Sequence, residues 1–267
     1  MRAIILMYDS LVKNMLQPYG CEWTRTPNFQ RLAEHTLKFE NCYVGSLPCM
    51  PARREMHTGR YNFFTRSWGP LEPFDDSLPE NLMKNGIHTH LISDHYHYWE
   101  EGGANYHTHF GTWEIVRGQE GDKWKANLKD PSIPKEVIAR PTHRWRQDWV
   151  NRGYMDCEEK QPQTVTWGLA LDFLKENSDC DNWMLQIECS ILMNPFLPSR
   201  SIKIYILMII RARFLTGRLT GRFRRMIRTA PENIYAASMR RCFPCATGIW
   251  VNCWIGWMRK ICGMTQC

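Results

Sequence analysis

The sequence predicts an α/β fold with a mainly parallel sheet. Short continuous apolar runs, typical of buried strands, alternate with segments of helical periodicity along the first 189 residues. The 267-residue chain is 43% hydrophobic and 23% charged, which is ordinary for a globular protein able to bury a sizeable core. No apolar stretch approaches the roughly 20 residues that a membrane span needs.

The first elements are a strand, a helix and a second strand. Residues 2–8 form a continuous apolar run that ends at Asp9, which predicts a buried strand. Thr26 is placed to cap a helix that has Pro27 in its first turn. The stretch from Leu37 to Val44 predicts the second strand.

A loop at 45–51 precedes a predicted helix over 52–58, which stops near Gly59. Ser77 and Glu80 have the spacing of a capping box, and the helix behind them should end at Asn85-Gly86. Residues 88–93 predict another strand.

The stretch from Asp94 to Pro162 is rich in Trp, His, Gly and charge, and we expect long irregular loops there. A helix is predicted over 164–177 and a last strand over 183–189. The helix should turn apolar side chains towards the sheet, namely Val165, Leu169, Leu171 and Phe173.

Two polar residues stand where chemistry could occur. Asp9 follows the first strand, and the carboxyl edge of an open α/β sheet is where ligands bind. A carboxylate there suits a hard divalent cation, although a turn or helix cap is the simpler explanation. Cys49 precedes Pro51, which should open a helix whose N-terminus favours negative charge, with Arg53 one turn in. Spacing alone leaves open a buried cysteine beside an ordinary helix.

His95 and His97 follow the strand at 88–93, so they also lie at a carboxyl end. They are candidates for substrate contact or for protonation of a leaving group, with packing histidines as the alternative. Tryptophans in this region could stack on sugar rings or simply pack the loops, and they are Trp99, Trp113, Trp124 and Trp145.

The run from Cys49 to Tyr61, Cys-x-Pro-x-Arg followed by Thr-Gly-Arg, resembles the signature of the type I sulfatases. These belong to the alkaline-phosphatase-like superfamily. The strand ending in Asp9 and the segment from Pro27 to Ala33 are also similar to that family, and the resemblance covers roughly residues 2–189. It implies an alkaline-phosphatase-like sheet flanked by helices, here truncated before its second half.

The resemblance implies that Cys49 is oxidised to formylglycine by a formylglycine-generating enzyme. The hydrated aldehyde would attack the sulfur of a sulfate ester, and its second hydroxyl would release sulfate. Asp9 and the modified Cys49 would ligate a divalent cation, with Ca²⁺ expected and Mg²⁺ or Mn²⁺ as alternatives. Arg53 would hold the formylglycine and balance charge, and His95 and His97 would contact the substrate.

The sequence departs from the family pattern in two places. Asp9 is followed by Ser10, where many sulfatases have a second Asp, which resembles the subgroup near the phosphonate monoester hydrolases. The distal Asp-His-Gly motif and Lys of the family are also missing, since no Asp follows Asp181 and no His follows His143. Hydrolysis of phosphonate monoesters or phosphate diesters, or an inactive fragment, are therefore the alternative functions.

Residues 190–267 differ in composition from residues 1–189. They hold 13 of the 34 Lys and Arg and one of the 27 Asp and Glu, which leaves a net charge of −5 in residues 1–189 and +12 in the tail. We expect a domain boundary here, with a poorly ordered tail. Shifting the reading frame by one base from Ser190 permits Phe-Asp-Pro-His-Glu-Pro, the run that the family would have, so we hypothesise a frameshifted tail.

The tail has a second interpretation, a basic module. Its arginines could bind phosphate backbones or acidic lipid, and Cys242 and Cys245 have the spacing of a zinc or redox pair without a matching second pair. We favour the hypothesis that the protein binds neither nucleic acid nor membrane. Its substrate would be a sulfated small molecule or carbohydrate. With no export signal apparent, we expect a cytoplasmic protein and reduced thiols among the first six cysteines.

Overall fold

The computed structural model of the protein describes residues 1–22, 24–63, 66–133 and 143–190. Within them, four parallel strands form one sheet in the order β1-β4-β2-β3. Their bounds are Arg2–Tyr8 for β1, His88–Ser93 for β2, Thr112–Ile115 for β3 and Trp183–Cys189 for β4. The last strand in the sequence thus lies between the first two, which brings the carboxyl ends of β1, β4 and β2 side by side.

Five α-helices accompany the sheet in the described ranges. Their bounds are Pro27–Ala33 for α1, Cys49–Thr58 for α2, Leu78–Lys84 for α3, His143–Arg152 for α4 and Pro162–Glu176 for α5. The α/β class predicted from strand–helix alternation is therefore confirmed. The predicted tail at 190–267 lies outside the described residues apart from Ser190.

Side-chain alternation along β4 divides the core between the two faces of the sheet. Leu185 and Ile187 pack with α5 residues Trp167 and Leu174 on one face. Met184 packs on the other face in a cluster that includes Met50 of α2, Tyr98 and Tyr106. Because side chains two residues apart share a face, Gln186 and Glu188 lie on the side of Met184, towards α2.

Two predictions about the elements are wrong, and a third is right only in part. No strand forms over 37–44, where Leu37 is 88% exposed and Tyr43 is 87% exposed, so that apolar run has no neighbour to pair with or pack against. The stretch 94–162 is not all irregular, since it contains β3 and α4. In α5 the predicted Leu169 and Phe173 do pack against the core, but the fully buried positions are Thr166, Trp167, Ala170 and Leu174.

Two helix starts also differ from expectation. Helix α2 begins at Cys49 rather than at 52, and Pro51 is tolerated because the first turn of a helix has no intrahelical partner for its N–H groups. Ser77 makes no side-chain capping bond at α3, so the predicted capping box does not form. The Ser77 hydroxyl instead contacts Nδ1 of His57 at 3.3 Å, which joins α3 to α2.

The six cysteines of the described segments are all free thiols, as predicted. In the described part of the chain, no helix combines the length and apolar character that crossing a membrane would require.

Candidate active site

The carboxyl ends of β1, β2 and β4 place three acidic side chains at one edge of the sheet, at Asp9, Asp94 and Glu188. Backbone bonds fix this register: the Asp9 amide donates to the Cys189 carbonyl at 2.9 Å and the Asp94 amide to the Glu188 carbonyl at 3.3 Å. The sequence identified only Asp9 of the three. A charged residue inside the mostly apolar β4 was the signal that could have revealed Glu188.

Cys49 is the first residue of α2 and is half-buried beside this edge. Burial raises the pKa of its thiol to about 11, and the carboxylates of Asp9 and Glu120 add to the effect. Arg53 opposes the rise without cancelling it. At neutral pH the side chain is therefore a protonated thiol, which is a poor nucleophile because the thiolate is the reactive form.

Arg53 lies one turn into α2 and is only 2% exposed. Its Nη1 donates to Asp9 Oδ2 at 3.0 Å and to the Cys49 carbonyl at 3.1 Å, and its Nε donates to Glu188 Oε2 at 3.2 Å. Burial would lower the pKa of Arg53, but Glu188, Tyr98 and Asp9 outweigh it and raise the pKa. One permanently charged guanidinium thus ties Cys49 to the ends of β1 and β4.

Glu188 has further hydrogen bonds that hold it in place. Tyr98 donates its hydroxyl to Glu188 Oε1 at 2.8 Å, and Gln186 donates its side-chain amide to the same oxygen at 2.6 Å. The carboxylate is fully buried, so these bonds and the Arg53 pair offset its loss of water.

His95 and His97 begin the loop after β2, with ring centroids 4.9 Å apart. Nδ1 of His95 contacts the Ser190 hydroxyl at 3.1 Å, and its Nε2 is buried without a hydrogen-bond partner in the described part of the chain. Burial, then Arg53 and His97, holds the pKa of His95 well below its ordinary value, so its ring is neutral. Nδ1 of His97 contacts Glu100 Oε1 at 2.7 Å.

Cys49, His95 and His97 come together in space. Each offers one ligand atom, and these atoms lie within 4.8 Å of one another. Asp9 lies beside this group, since it accepts a hydrogen bond from Arg53 and raises the pKa of the Cys49 thiol. All five site residues that the sequence indicated therefore share one edge of the sheet.

Asp94 and Gln119 form a layer behind these residues that the sequence did not indicate. Asp94 Oδ1 accepts from the Ser190 amide at 2.6 Å, and Oδ2 accepts from the Gln119 side chain at 3.1 Å. Burial raises the pKa of Asp94 to about 7, although these bonds lower it in part. Asp94 thereby anchors Ser190, whose hydroxyl faces His95.

A tight loop presents Gln119 and Glu120 to the site. Arg117 makes two bonds of 2.6 Å to the Asp122 carboxylate, and Asn151 donates to the carbonyls of Gly118 and Asp122. Glu120 has φ of +53°, a conformation that costs free energy and is common at functional sites. These tertiary contacts bring Glu120 close enough to Cys49 to raise the pKa of its thiol.

The tryptophans of the long loop are distributed between surface and packing positions. Trp99 and Trp113 are 44% and 41% exposed and flank the His107 ring. Trp124 packs at Gly118 and Tyr154, under the loop that carries Glu120. Among the described tryptophans of this loop, Trp99 and Trp113 are therefore the most accessible to a ligand, while Trp124 and Trp145 are half-buried.

The described side chains fit a hard divalent cation only in part. Ca²⁺ takes six to eight oxygen ligands. Among the described residues at this edge, Glu188 and Asp94 are fully engaged in hydrogen bonds and Asp9 is paired with Arg53. Asp9, at 13% side-chain exposure, is the most accessible of these three carboxylates.

Comparisons with known proteins agree on the family. A family model described as Sulfatase matches residues 2–187. The N-acetylglucosamine-6-O-sulfatase of Bacteroides thetaiotaomicron is 28% identical over 124 residues, which is 45% of this chain and 21% of that protein. The chain thus spans about a fifth of the length of this relative.

Two solved structures show the same fold. The phosphonate monoester hydrolase of Agrobacterium radiobacter superposes with a TM-score of 0.60 at 15% identity, covering 96% of this chain and 60% of its own. A protein solved in complex with D-glucosamine-2-N,6-O-disulfate superposes with a TM-score of 0.58 at 13% identity. The match covers 97% of this chain and 62% of that protein chain. The fold is thus the alkaline-phosphatase-like α/β sheet that the sequence predicted.

Proposed function

Because the chain belongs to the sulfatase family, we propose that its function is hydrolysis of a sulfuric ester, with Cys49 at the reacting centre after conversion to formylglycine. The observation that carries this proposal is the position of Cys49 at the start of α2, with Arg53 bonded to its carbonyl and two histidines within reach. The high pKa of the unmodified thiol is consistent with a side chain that needs conversion before it reacts.

Formylglycine would supply an oxygen nucleophile for the sulfate ester. Arg53 acts by position: its bonds to Asp9, Glu188 and the Cys49 carbonyl fix the first turn of α2 against the sheet. The amides of that first turn have no intrahelical partner, so they favour a negatively charged group at Cys49.

The two histidines would divide the work on the substrate. His95 is neutral, so it can donate a hydrogen bond from Nε2 to a sulfate oxygen while Nδ1 accepts from Ser190. His97 lies beside the Glu100 carboxylate, which orients its ring and makes it our candidate for protonating the leaving group.

A divalent cation, with Ca²⁺ as the expected ion, would be held by Asp9 and the converted Cys49 side chain. It would polarise the sulfate oxygens. The described residues do not complete its ligand set, so we assign no reaction step to it.

For the substrate we propose a sulfated carbohydrate or small sulfated molecule. Two observations support this choice: the named relative is an N-acetylglucosamine-6-O-sulfatase, and Trp99 and Trp113 are exposed near the loop of His95 and His97. Exposed aromatic rings of this kind can stack on sugars.

The test is co-expression of the full chain with a formylglycine-generating enzyme, followed by peptide mapping around Cys49 and an aryl sulfate assay. We expect an aldehyde at position 49 and sulfate release that is lost in C49A. C42S is the matched control, because Cys42 is an exposed free thiol, whereas Cys49 is half-buried. Conversion without hydrolysis, in this chain and in a full-length relative, would rule against the proposed activity.

Phosphonate monoester or phosphodiester hydrolysis on the same scaffold is the second candidate. The superposition on a phosphonate monoester hydrolase and the single Asp9 after β1 favour it. An aryl phosphonate monoester assayed beside the aryl sulfate separates the two functions. Hydrolysis of neither by this chain, with hydrolysis by the relative, would indicate an inactive fragment.

A further inference from the structure

We propose that Cys49, His95 and His97 form a site for a borderline-soft divalent metal, Zn²⁺ above all, as long as Cys49 remains an unconverted cysteine. The proposal concerns the precursor state and does not depend on the hydrolytic function. It differs from the oxygen-rich cation site discussed above in both ligand chemistry and the form of residue 49.

The first observation is the ligand set. One sulfur and two imidazole nitrogens lie within 4.8 Å of one another. A tetrahedral zinc ion with Zn–S of about 2.3 Å and Zn–N of about 2.0 Å holds its ligands about 3.3–3.8 Å apart. Small side-chain rotations would therefore bring the three atoms to bonding distance.

The second observation is independent of proximity. Nε2 of His95 is buried and has no hydrogen-bond partner among the described residues, while Nδ1 of the same ring is held by the Ser190 hydroxyl. A buried nitrogen without a partner is costly and calls for an explanation. Coordination to a metal would satisfy it, with Ser190 fixing the ring from its other side.

Residues behind the ligands have the arrangement that metal sites use. Metal-binding histidines usually direct their second nitrogen to a carboxylate, a backbone carbonyl or water, which orients the ring. Glu100 Oε1 stands 2.7 Å from Nδ1 of His97. In turn, Asp94 holds the Ser190 amide at 2.6 Å and so supports the Ser190–His95 contact.

The chemistry of the donors selects the metal class. Thiolate and imidazole favour Zn²⁺ and similar ions over Ca²⁺ and Mg²⁺, which prefer oxygen. The carboxylate at this edge that remains partly exposed, Asp9, is paired with Arg53. Three protein ligands would leave a fourth position for water, and binding would release the thiol proton to solvent.

One consequence follows for maturation. The sulfur that would hold the metal is the atom that must leave when Cys49 becomes formylglycine. Metal binding and conversion are therefore mutually exclusive, and bound Zn²⁺ would protect the precursor thiol.

The experiment uses the full chain expressed without a formylglycine-generating enzyme, with Cys49 shown to be a thiol by peptide mapping. Co²⁺ is titrated in, and the near-ultraviolet thiolate-to-cobalt band is followed before displacement by Zn²⁺. We expect a saturable one-equivalent band that C49S abolishes. E100Q should weaken binding by about 10–100-fold, the usual effect of losing such a supporting carboxylate.

A second measurement identifies the cysteine directly. Zn²⁺ should slow alkylation of Cys49 by iodoacetamide, read by peptide mapping, without affecting the exposed Cys42. The double variant C242S/C245S tests whether cysteines of the tail bind the metal instead. Its thiolate-to-cobalt band should equal that of the native protein. A band that persists in C49S, a band lost in the tail variant, or Cys49 alkylation indifferent to Zn²⁺ would each overturn the proposal. None of these readouts requires sulfate hydrolysis.

Discussion

Glu188 Oε2 lies 3.2 Å from Nη2 of Arg53, and both side chains are buried. The pair joins the carboxyl end of β4, the last described strand, to the helix that begins at Cys49. Because Asp9 at the end of β1 contacts the same guanidinium at 3.0 Å, one arginine connects three segments that are far apart in the sequence. The position of Cys49 therefore depends on the sheet being assembled.

Replacing Glu188 with Gln should destabilise the fold by about 3 kcal/mol, because a buried arginine that loses one of its carboxylates is left undercompensated. Urea unfolding measures the difference. The matched control is D76N, which removes the carboxylate of the Arg60–Asp76 pair, where both side chains are more than 60% exposed. It should cost less than about 1 kcal/mol. If the two variants lowered the unfolding free energy equally, the buried pair would contribute no more to stability than an exposed one.

Changing Gly103 to Ala should disturb the histidine loop. A Cβ at Gly103 would overlap the carbonyl oxygen of His97, which is backbone and cannot rotate away. We expect a lower unfolding free energy and weaker metal or sulfate binding by His95 and His97. The control is G168A in α5, where a Cβ meets no atom of the described residues within 4 Å. Ala at that helical position should stabilise the protein by about 0.5–1 kcal/mol.

His57 should make the protein sensitive to acid. Burial, with help from His109 and Arg53, lowers its pKa to about 3. A histidine with a depressed folded pKa binds fewer protons folded than unfolded, so its stabilisation is complete above pH 6.5 and is lost as pH falls towards 3. The unfolding free energy should therefore fall more steeply over this window in the native protein than in H57N.

H35N is the control for that pH series, since His35 is exposed and its replacement should leave the slope unchanged. Identical pH slopes for the native protein and H57N, measured by urea unfolding at several pH values, would contradict the assignment.

The Cys49 thiol should be slow to alkylate at neutral pH and should accelerate as pH rises towards 11. Replacing Glu120 with Gln removes one of the carboxylates that raise its pKa, so alkylation at pH 8 should speed up modestly, since burial is the larger cause. Peptide mapping after iodoacetamide treatment measures the rate at Cys49, with Cys42 as the internal control. An unchanged Cys49 rate in E120Q would mean that Glu120 does not act on the thiol.

Much of the fold could be predicted from local patterns. The segments predicted as strands at 2–8, 88–93 and 183–189 became three strands of the sheet. The mostly apolar run at 2–8 is typical of a strand in a parallel sheet. The run at 37–44 did not become a strand, since strand formation needs a pairing partner that no local pattern reveals. The short strand β3, with mostly exposed side chains, had no apolar signal to find.

The sequence by itself determined the family signature around Cys49 and Arg53, and the placement of Asp9, His95 and His97 after strands. These features are local, since they depend on residue type and spacing. Only the tertiary structure decided that β4 lies between β1 and β2 and that Glu188 shares Arg53 with Asp9. It also decided that the loop of Glu120 reaches Cys49. Contacts between residues 44 to 135 positions apart arise from packing, and only the assembled sheet specifies them.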